Sequence, residues 1–164
     1  MMEINGNSTT VLMHLLTWTE LQRMRVNQIW NIRRMAAEQS VLLDSGNPNK
    51  PKKGKFDFYV ETPSKTIGFE VLTRPSKGKM LQKLIYSKEV DEFVFVIPTH
   101  FLKPYQKENN HSFGWHVRHK KLPSPFSKKG LYVWLVNIGE QRIISKQSLS
   151  NIYYIENENG RKAS

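Results

Sequence analysis

Asp57 and Glu70 lie in two short alternating runs, residues 55–61 and 66–73, on either side of a Pro63-Ser64 turn. An antiparallel hairpin closed by that two-residue turn sets Phe56 against Val71, Phe58 against Phe69 and Val60 against Ile67. These are three apolar cross-strand pairs on one face. The same register sets Asp57 opposite Glu70 on the other face. Two carboxylates across one ladder repel each other, so the pairing makes sense with a cation between them. Carboxylate oxygens suit Mg²⁺ or Mn²⁺, and such an ion activates water for phosphodiester hydrolysis. Lys55 falls opposite Leu72 in this register and projects to the acidic face. There it can orient a water or steady charge on an attacked phosphate.

The elements around the hairpin must hold this pair. Arg74-Pro75-Ser76 breaks the second run, and Ser76 is a helix cap for residues 78–90. Met80, Leu81, Leu84 and Ile85 form the predicted buried stripe of that helix. Gln82 and Tyr86, i,i+4 neighbours, form its polar stripe with Lys79 and Lys83. Residues 93–97 are an unbroken apolar run closed by Pro98, as in a strand covered on both faces. Strand, helix, strand in this order predicts a parallel pair. Residues 131–138 are a second interior strand, and 141–155 hold a short strand with a final turn or strand.

Upstream, residues 11–43 carry helical spacing in Val11, Leu12, Leu15, Leu16, Leu21 and Met24, as one helix or two. Ser8, Thr9 and Thr10 are candidate caps. Residues 44–55 read as a lysine-bearing loop. Residues 99–130 read as a long loop with a short helix near 102–108 and a basic tract at 116–121. Lys52 and Lys53, with Arg74, Lys77, Lys79 and Lys83, make a basic surface able to track a phosphate backbone.

The chain has 164 residues, enough for one domain, with 1–10 and 156–164 expected to fray. A formal net charge of +11, from 25 basic against 14 acidic residues, points to a polyanionic partner, nucleic acid first. The absence of cysteine excludes disulfides, thiolate zinc centres and cysteine nucleophiles. The five histidines show no HExxH-type spacing. No apolar run approaches the ~18 residues of a membrane span, and the polar N-terminus has no secretory pattern. The expectation is an intracellular protein with no membrane partner.

At Asp57, at Gly68-Phe69-Glu70-Val71-Leu72 and at Gln82-Lys83-Leu84-Ile85-Tyr86, the chain resembles the restriction-endonuclease-like, or PD-(D/E)xK, nuclease superfamily. The likeness covers about residues 30–98. It implies an α/β fold with a mixed sheet, built as helix, three-stranded meander, helix and strand. It implies Asp57 and Glu70 as metal ligands, and Glu38, on the first helix, as an additional acidic ligand. Gln82 and Tyr86 look like the QxxxY motif of the RecB-like branch, which helps hold DNA. The implied activity is Mg²⁺- or Mn²⁺-dependent hydrolysis of DNA. Leu72 stands where the family carries its lysine. Lys55 is the geometric replacement, with Lys83 and Lys79 as alternatives.

Two other readings belong to different classes. A non-catalytic DNA-binding protein would use a degenerate nuclease fold, or a helix-turn-helix over residues 15–35 with Arg33 and Arg34 on its second helix. A protein acting on anionic lipid ranks last, because no segment joins a strongly basic face to a clean apolar one. Paired cuts require a homodimer, for which the aromatic stretch around Trp115 is the candidate interface.

Overall fold

A computed structural model describes residues 6–102, 105–106, 113–114 and 121–156. The first element, α1 (Gly6–Val26), is one straight run of helix. It buries Met13, Thr17, Leu21 and Met24, while Val11 and Leu15 stay exposed. The buried stripe is therefore rotated from the one the leucines suggest. Thr17 enters it because its hydroxyl donates to the Met13 carbonyl at 2.7 Å, leaving no unpaired polar group. Ser8, Thr9 and Thr10 lie inside the helix and do not cap it.

α1 ends in a Schellman motif. The Ile29 N–H donates to the Met24 carbonyl (2.8 Å) and the Gln28 N–H to the Arg25 carbonyl (3.2 Å). Gln28 takes the left-handed conformation, with φ of 58°, that this ending needs. Residues 11–43 therefore do not continue as helix. Trp30 and Asn31 also have positive φ, and the chain then enters strand β1 (Arg34–Leu43). The second helix of a helix-turn-helix does not form, and Arg33 and Arg34 lie on no recognition helix. Ala36, Ala37 and Glu38 favour helix by propensity, but pairing with the next strand overrides it.

β1 pairs antiparallel with β2 (Lys52–Glu61), and β2 antiparallel with β3 (Thr66–Val71). Lys52, Lys53 and Lys55 are thus strand residues, and the loop before them ends earlier than the composition predicts. Phe58 faces Phe69 and Val60 faces Ile67, as the alternation predicts. The turn is the expected Pro63-Ser64, closed by the Thr62 N–H on the Lys65 carbonyl (2.9 Å). α2 (Lys77–Lys83) follows, with the Ser76 hydroxyl accepting from the Lys79 N–H at 3.1 Å as its cap. At Leu84 the helix tightens into a 3-10 segment, Leu84–Glu89. β4 (Glu92–Pro98) then runs parallel to β3.

β5 (Tyr105–Gln106) and β6 (Phe113–Gly114) pair antiparallel, where the sequence suggests a short helix. Trp115 and the basic tract 116–121, except Lys121, lie outside the described residues. β7 (Lys121–Leu122) pairs with β10 (Tyr154–Ile155). β8 (Leu131–Asn137) is interior and parallel to β4, and β9 (Arg142–Ser148) closes the far edge. The result is an α/β architecture on one mixed six-stranded sheet, in the order β1-β2-β3-β4-β8-β9. No helix among the described residues is long and apolar enough to cross a membrane.

The pleat sends alternate residues into two cores. Phe58, Val60, Ile67, Phe69, Val96 and Trp134 pack under α1. Phe93, Phe95, Ile97 and Leu135 pack on the other side with Met80, Leu84 and Tyr86. Phe56 joins this second core, not the face of Phe58 and Val60, and it has no partner on β3. Its ring meets Tyr86 edge-on at 5.5 Å. Gly54 lets Tyr86 reach that position, because a Cβ there would lie 2.5 Å from the Tyr86 hydroxyl and 2.8 Å from Leu43 Cδ1. Replacing Gly54 with Ala is expected to cost about 1–3 kcal/mol through overpacking, read as a lower urea midpoint at unchanged slope.

Candidate active site

The two acids meet where the β2–β3 ladder opens. Backbone pairing stops at Phe58 and Phe69. Beyond it, the Leu72 N–H turns to the Val96 carbonyl of β4 (2.9 Å). The Val71 N–H, freed from a β2 carbonyl, donates to Asp57 Oδ2 at 2.7 Å. A side chain thus replaces a ladder bond, and a buried N–H is not left unmet. Phe56 has no β3 partner for the same reason.

His14 on α1 and Lys83 on α2 complete the cluster. His14 Nε2 lies 3.5 Å from Asp57 Oδ1, and Lys83 Nζ lies 3.7 Å from Glu70 Oε2. Glu70 is 2% exposed, and its Oε1 is buried with no hydrogen-bond partner among the described residues. Lys83 also sits over the Tyr86 ring, 5.2 Å from its centroid.

The environments drive the two carboxyl groups apart. Burial, then the charge of Asp57, pushes Glu70 up to about 8, against the attraction of Lys83. Burial also works to raise Asp57, but hydrogen bonds from His14 and the Val71 N–H hold it below the ordinary aspartate value. The hydrogen bond to Asp57 raises His14 above the usual histidine value despite burial, helped by the Thr10 carbonyl and the charge of Glu38. At neutral pH these shifts favour an ionised Asp57 and a protonated Glu70. The repulsion expected between facing acids is relieved by a proton.

Glu38 is not on a helix. It lies on β1 with φ of 54°, between Ala37, which pairs with Phe58, and Gln39, which pairs with Phe56. That places it alongside Asp57 in the sheet, exposed, and near enough to act on His14. Lys55 pairs with Ser40 of β1 and is exposed. It is not opposite Leu72, because β3 has left β2 by that point. Gln82 and Tyr86 do not share a face: Gln82 is exposed and Tyr86 is buried. The 3-10 segment starting at Leu84 breaks the i,i+4 relation, and Leu81 is exposed. Lys83 is the lysine that the fold brings to Glu70.

Lys52, Lys53, Arg74, Lys77 and Lys79 are exposed and pair with no carboxylate among the described residues. An open cleft of about 530 Å³ beside Ser40, Leu42, Lys53 and Lys55 joins part of this basic surface. His14 has no signal in the sequence reading. Its one mark is a titratable ring within the buried side of α1, one position after Met13.

A Mg²⁺-type ion fits this donor set. Glu70 Oε1 is a buried oxygen in want of a partner, and Asp57 is ionised beside it. The His14 Nδ1 is 2.8 Å from the Thr10 carbonyl. His14 meets Asp57 through Nε2, and with its single proton on Nδ1 it would offer Nε2 to an ion instead. No group of three or more His, Asp or Glu side chains stands ready as a metal cage among the described residues. Mg²⁺ needs none, since it keeps several waters and takes one or two carboxylates. No known protein family, curated protein or solved structure matches this chain.

Glu70 binds a proton more tightly in the fold than in the unfolded chain. Between its ordinary value of 4.5 and about 8, the unfolded chain has released a proton that the fold keeps. Stability from this group is therefore full below that window and is lost as pH rises through it. Glu70→Gln removes the loss. The gap in Tm between Glu70→Gln and wild type should widen in favour of the variant from pH 5 to pH 8, and calorimetry in EDTA checks it.

Proposed function

We propose that this protein is a metal-dependent nuclease that hydrolyses phosphodiester bonds, in DNA first, on a restriction-endonuclease-like core. The observation that carries the reading is the Asp57–Glu70 pair at the opening of the sheet, with an unpartnered buried oxygen on Glu70 and Lys83 beside it. The element order α1, β1–β2–β3 meander, α2 and parallel β4 supports it. So does the net charge of +11, much of it on exposed and uncompensated lysines.

Asp57 and Glu70 would hold the ion, Mg²⁺ or Mn²⁺. His14 and the Val71 carbonyl are further donors within the cluster, and Glu38 lies alongside. Such an ion lowers the pKa of a bound water and offsets charge on the phosphate. His14 fixes the Asp57 carboxylate. Lys83 takes the place of the lysine missing at Leu72, close enough to orient a water or meet a developing negative charge. Lys52, Lys53, Arg74, Lys77 and Lys79 would hold phosphates on either side. A homodimer making paired cuts stays within this proposal.

The deciding experiment is cleavage of linear and circular DNA with Mg²⁺, Mn²⁺ or EDTA. Asp57→Ala and Glu70→Ala should each lower the rate by about a hundredfold or more, as expected for a lost catalytic group. Lys83→Ala should lower it more than Lys55→Ala. A Glu70→Ala protein that cuts at the wild-type rate would refute the assignment. The leucine at position 72 favours a second reading, a nuclease fold kept for binding alone. That reading requires salt-sensitive DNA binding in EDTA with no cleavage under any metal.

A further inference from the structure

A second recess lies on the α1 face of the sheet, away from the acidic pair. α1 crosses this face from Asp57 on β2 to β9, where Glu20 is bonded to Lys146. The chain then turns back through residues 27–31, and a gap remains between this turn and strands β4, β8 and β9. The gap has a volume of about 500 Å³, the size of a small-molecule site. Its floor is the row Val94–Tyr132–Ser148 across the sheet, with Trp134 and Lys146 beside it. Trp30 walls it from the turn, with its ring 6.1 Å from Trp134 and 6.4 Å from Phe69.

The polar groups of the recess are not those of a phosphate site. Lys65 is ion-paired with Glu92 at 2.8 Å, and Lys146 with Glu20. Lys146 also lies over Trp134, 4.6 Å from the ring. Both cations are compensated, unlike Lys52 and Lys53 on β2 and Lys77 and Lys79 on α2. Lys65 and Glu92 set a donor and an acceptor side by side at hydrogen-bond spacing. Half-buried Trp30 and Tyr132 supply flat faces. A planar heterocycle with alternating donors and acceptors on its edge matches these groups.

We propose that this recess binds a nucleobase, stacked on Trp30 and Tyr132 and read at its edge by Lys65 and Glu92. The base belongs either to an unpaired nucleotide of a strand lying on the basic surface or to a free nucleotide. The inference rests on the nucleic-acid part of the proposed function and not on hydrolysis.

The test is fluorescence anisotropy in EDTA with the full chain. The probes are a labelled single-stranded oligonucleotide and one of equal length carrying abasic sites, with adenosine or thymidine monophosphate as competitor. Wild type should bind the natural strand about tenfold tighter than the abasic one, the scale of one stacked base. Trp30→Ala should erase that preference, and Trp30→Phe should restore most of it. Competition by a mononucleotide at millimolar concentration would identify a free nucleotide as the source; none would identify the strand. Equal binding of natural and abasic strands by wild type overturns the proposal even if no variant folds. So does a preference that survives both Trp30→Ala and Tyr132→Ala. Absence of all binding would refute the nucleic-acid reading as well, whereas lack of cleavage bears only on the acidic site.

Discussion

The hydrogen bond from the Val71 N–H to the Asp57 carboxylate is the contact on which the centre of this molecule depends. It stands in for a ladder bond, and so allows β3 to part from β2 without leaving a buried donor unmet. Where β2 and β3 part, Leu72 keeps its ladder bond to β4, and Glu70 is buried beside the opening. The bond also selects a charge state. An N–H donor favours the ionised form of its acceptor, so Asp57 carries the charge and Glu70 keeps the proton. His14 then answers the charge on Asp57, which ties the start of α1 to the same point. Sheet opening, charge division and helix docking are one arrangement.

Charge elsewhere follows a simple division. Lysines facing structured recesses are paired: Lys65 with Glu92, Lys83 with Glu70, Lys146 with Glu20. Lys52, Lys53 and Lys55 on β2 and Lys77 and Lys79 on α2 are left to solvent. The uncompensated lysines among the described residues thus form a surface able to meet a polyanion, and the paired lysines serve position, not attraction. Their effect is to set where uncompensated charge remains.

The strands with strict alternation were readable from sequence because period two leaves little choice of face. Phe58–Phe69 and Val60–Ile67 belong to this group; the Pro63-Ser64 turn, the Ser76 cap and the interior strands β4 and β8 were legible from turn, cap and unbroken apolar patterns. The hairpin register also brought Asp57 and Glu70 together in the reading, although it placed them as a facing pair on an intact ladder. Three features were hidden. Gln28 ends α1 in a left-handed conformation that glycine usually signals, so the helix pattern seemed to run on through Ala36, Ala37 and Glu38. The parting of β2 and β3 depends on tertiary bonds and moved Lys55 away from the acids. The 3-10 tightening at Leu84 rotated Tyr86 into the core. His14 could not be singled out because its role comes from α1 crossing β2, a contact between distant parts of the chain.

The left-handed backbone at Glu38 has a meaning beyond its place near the acids. β1 is the outer strand of the sheet, and the row of amides along its free side could act as a template for another chain. The break in its conformation divides that row into two short stretches, residues 34–37 and 39–43. A carboxylate stands at the division. Lateral stacking of one sheet onto the next would meet a bend and a charge midway, so this rim is guarded against the fibrous association that long, flat borders invite.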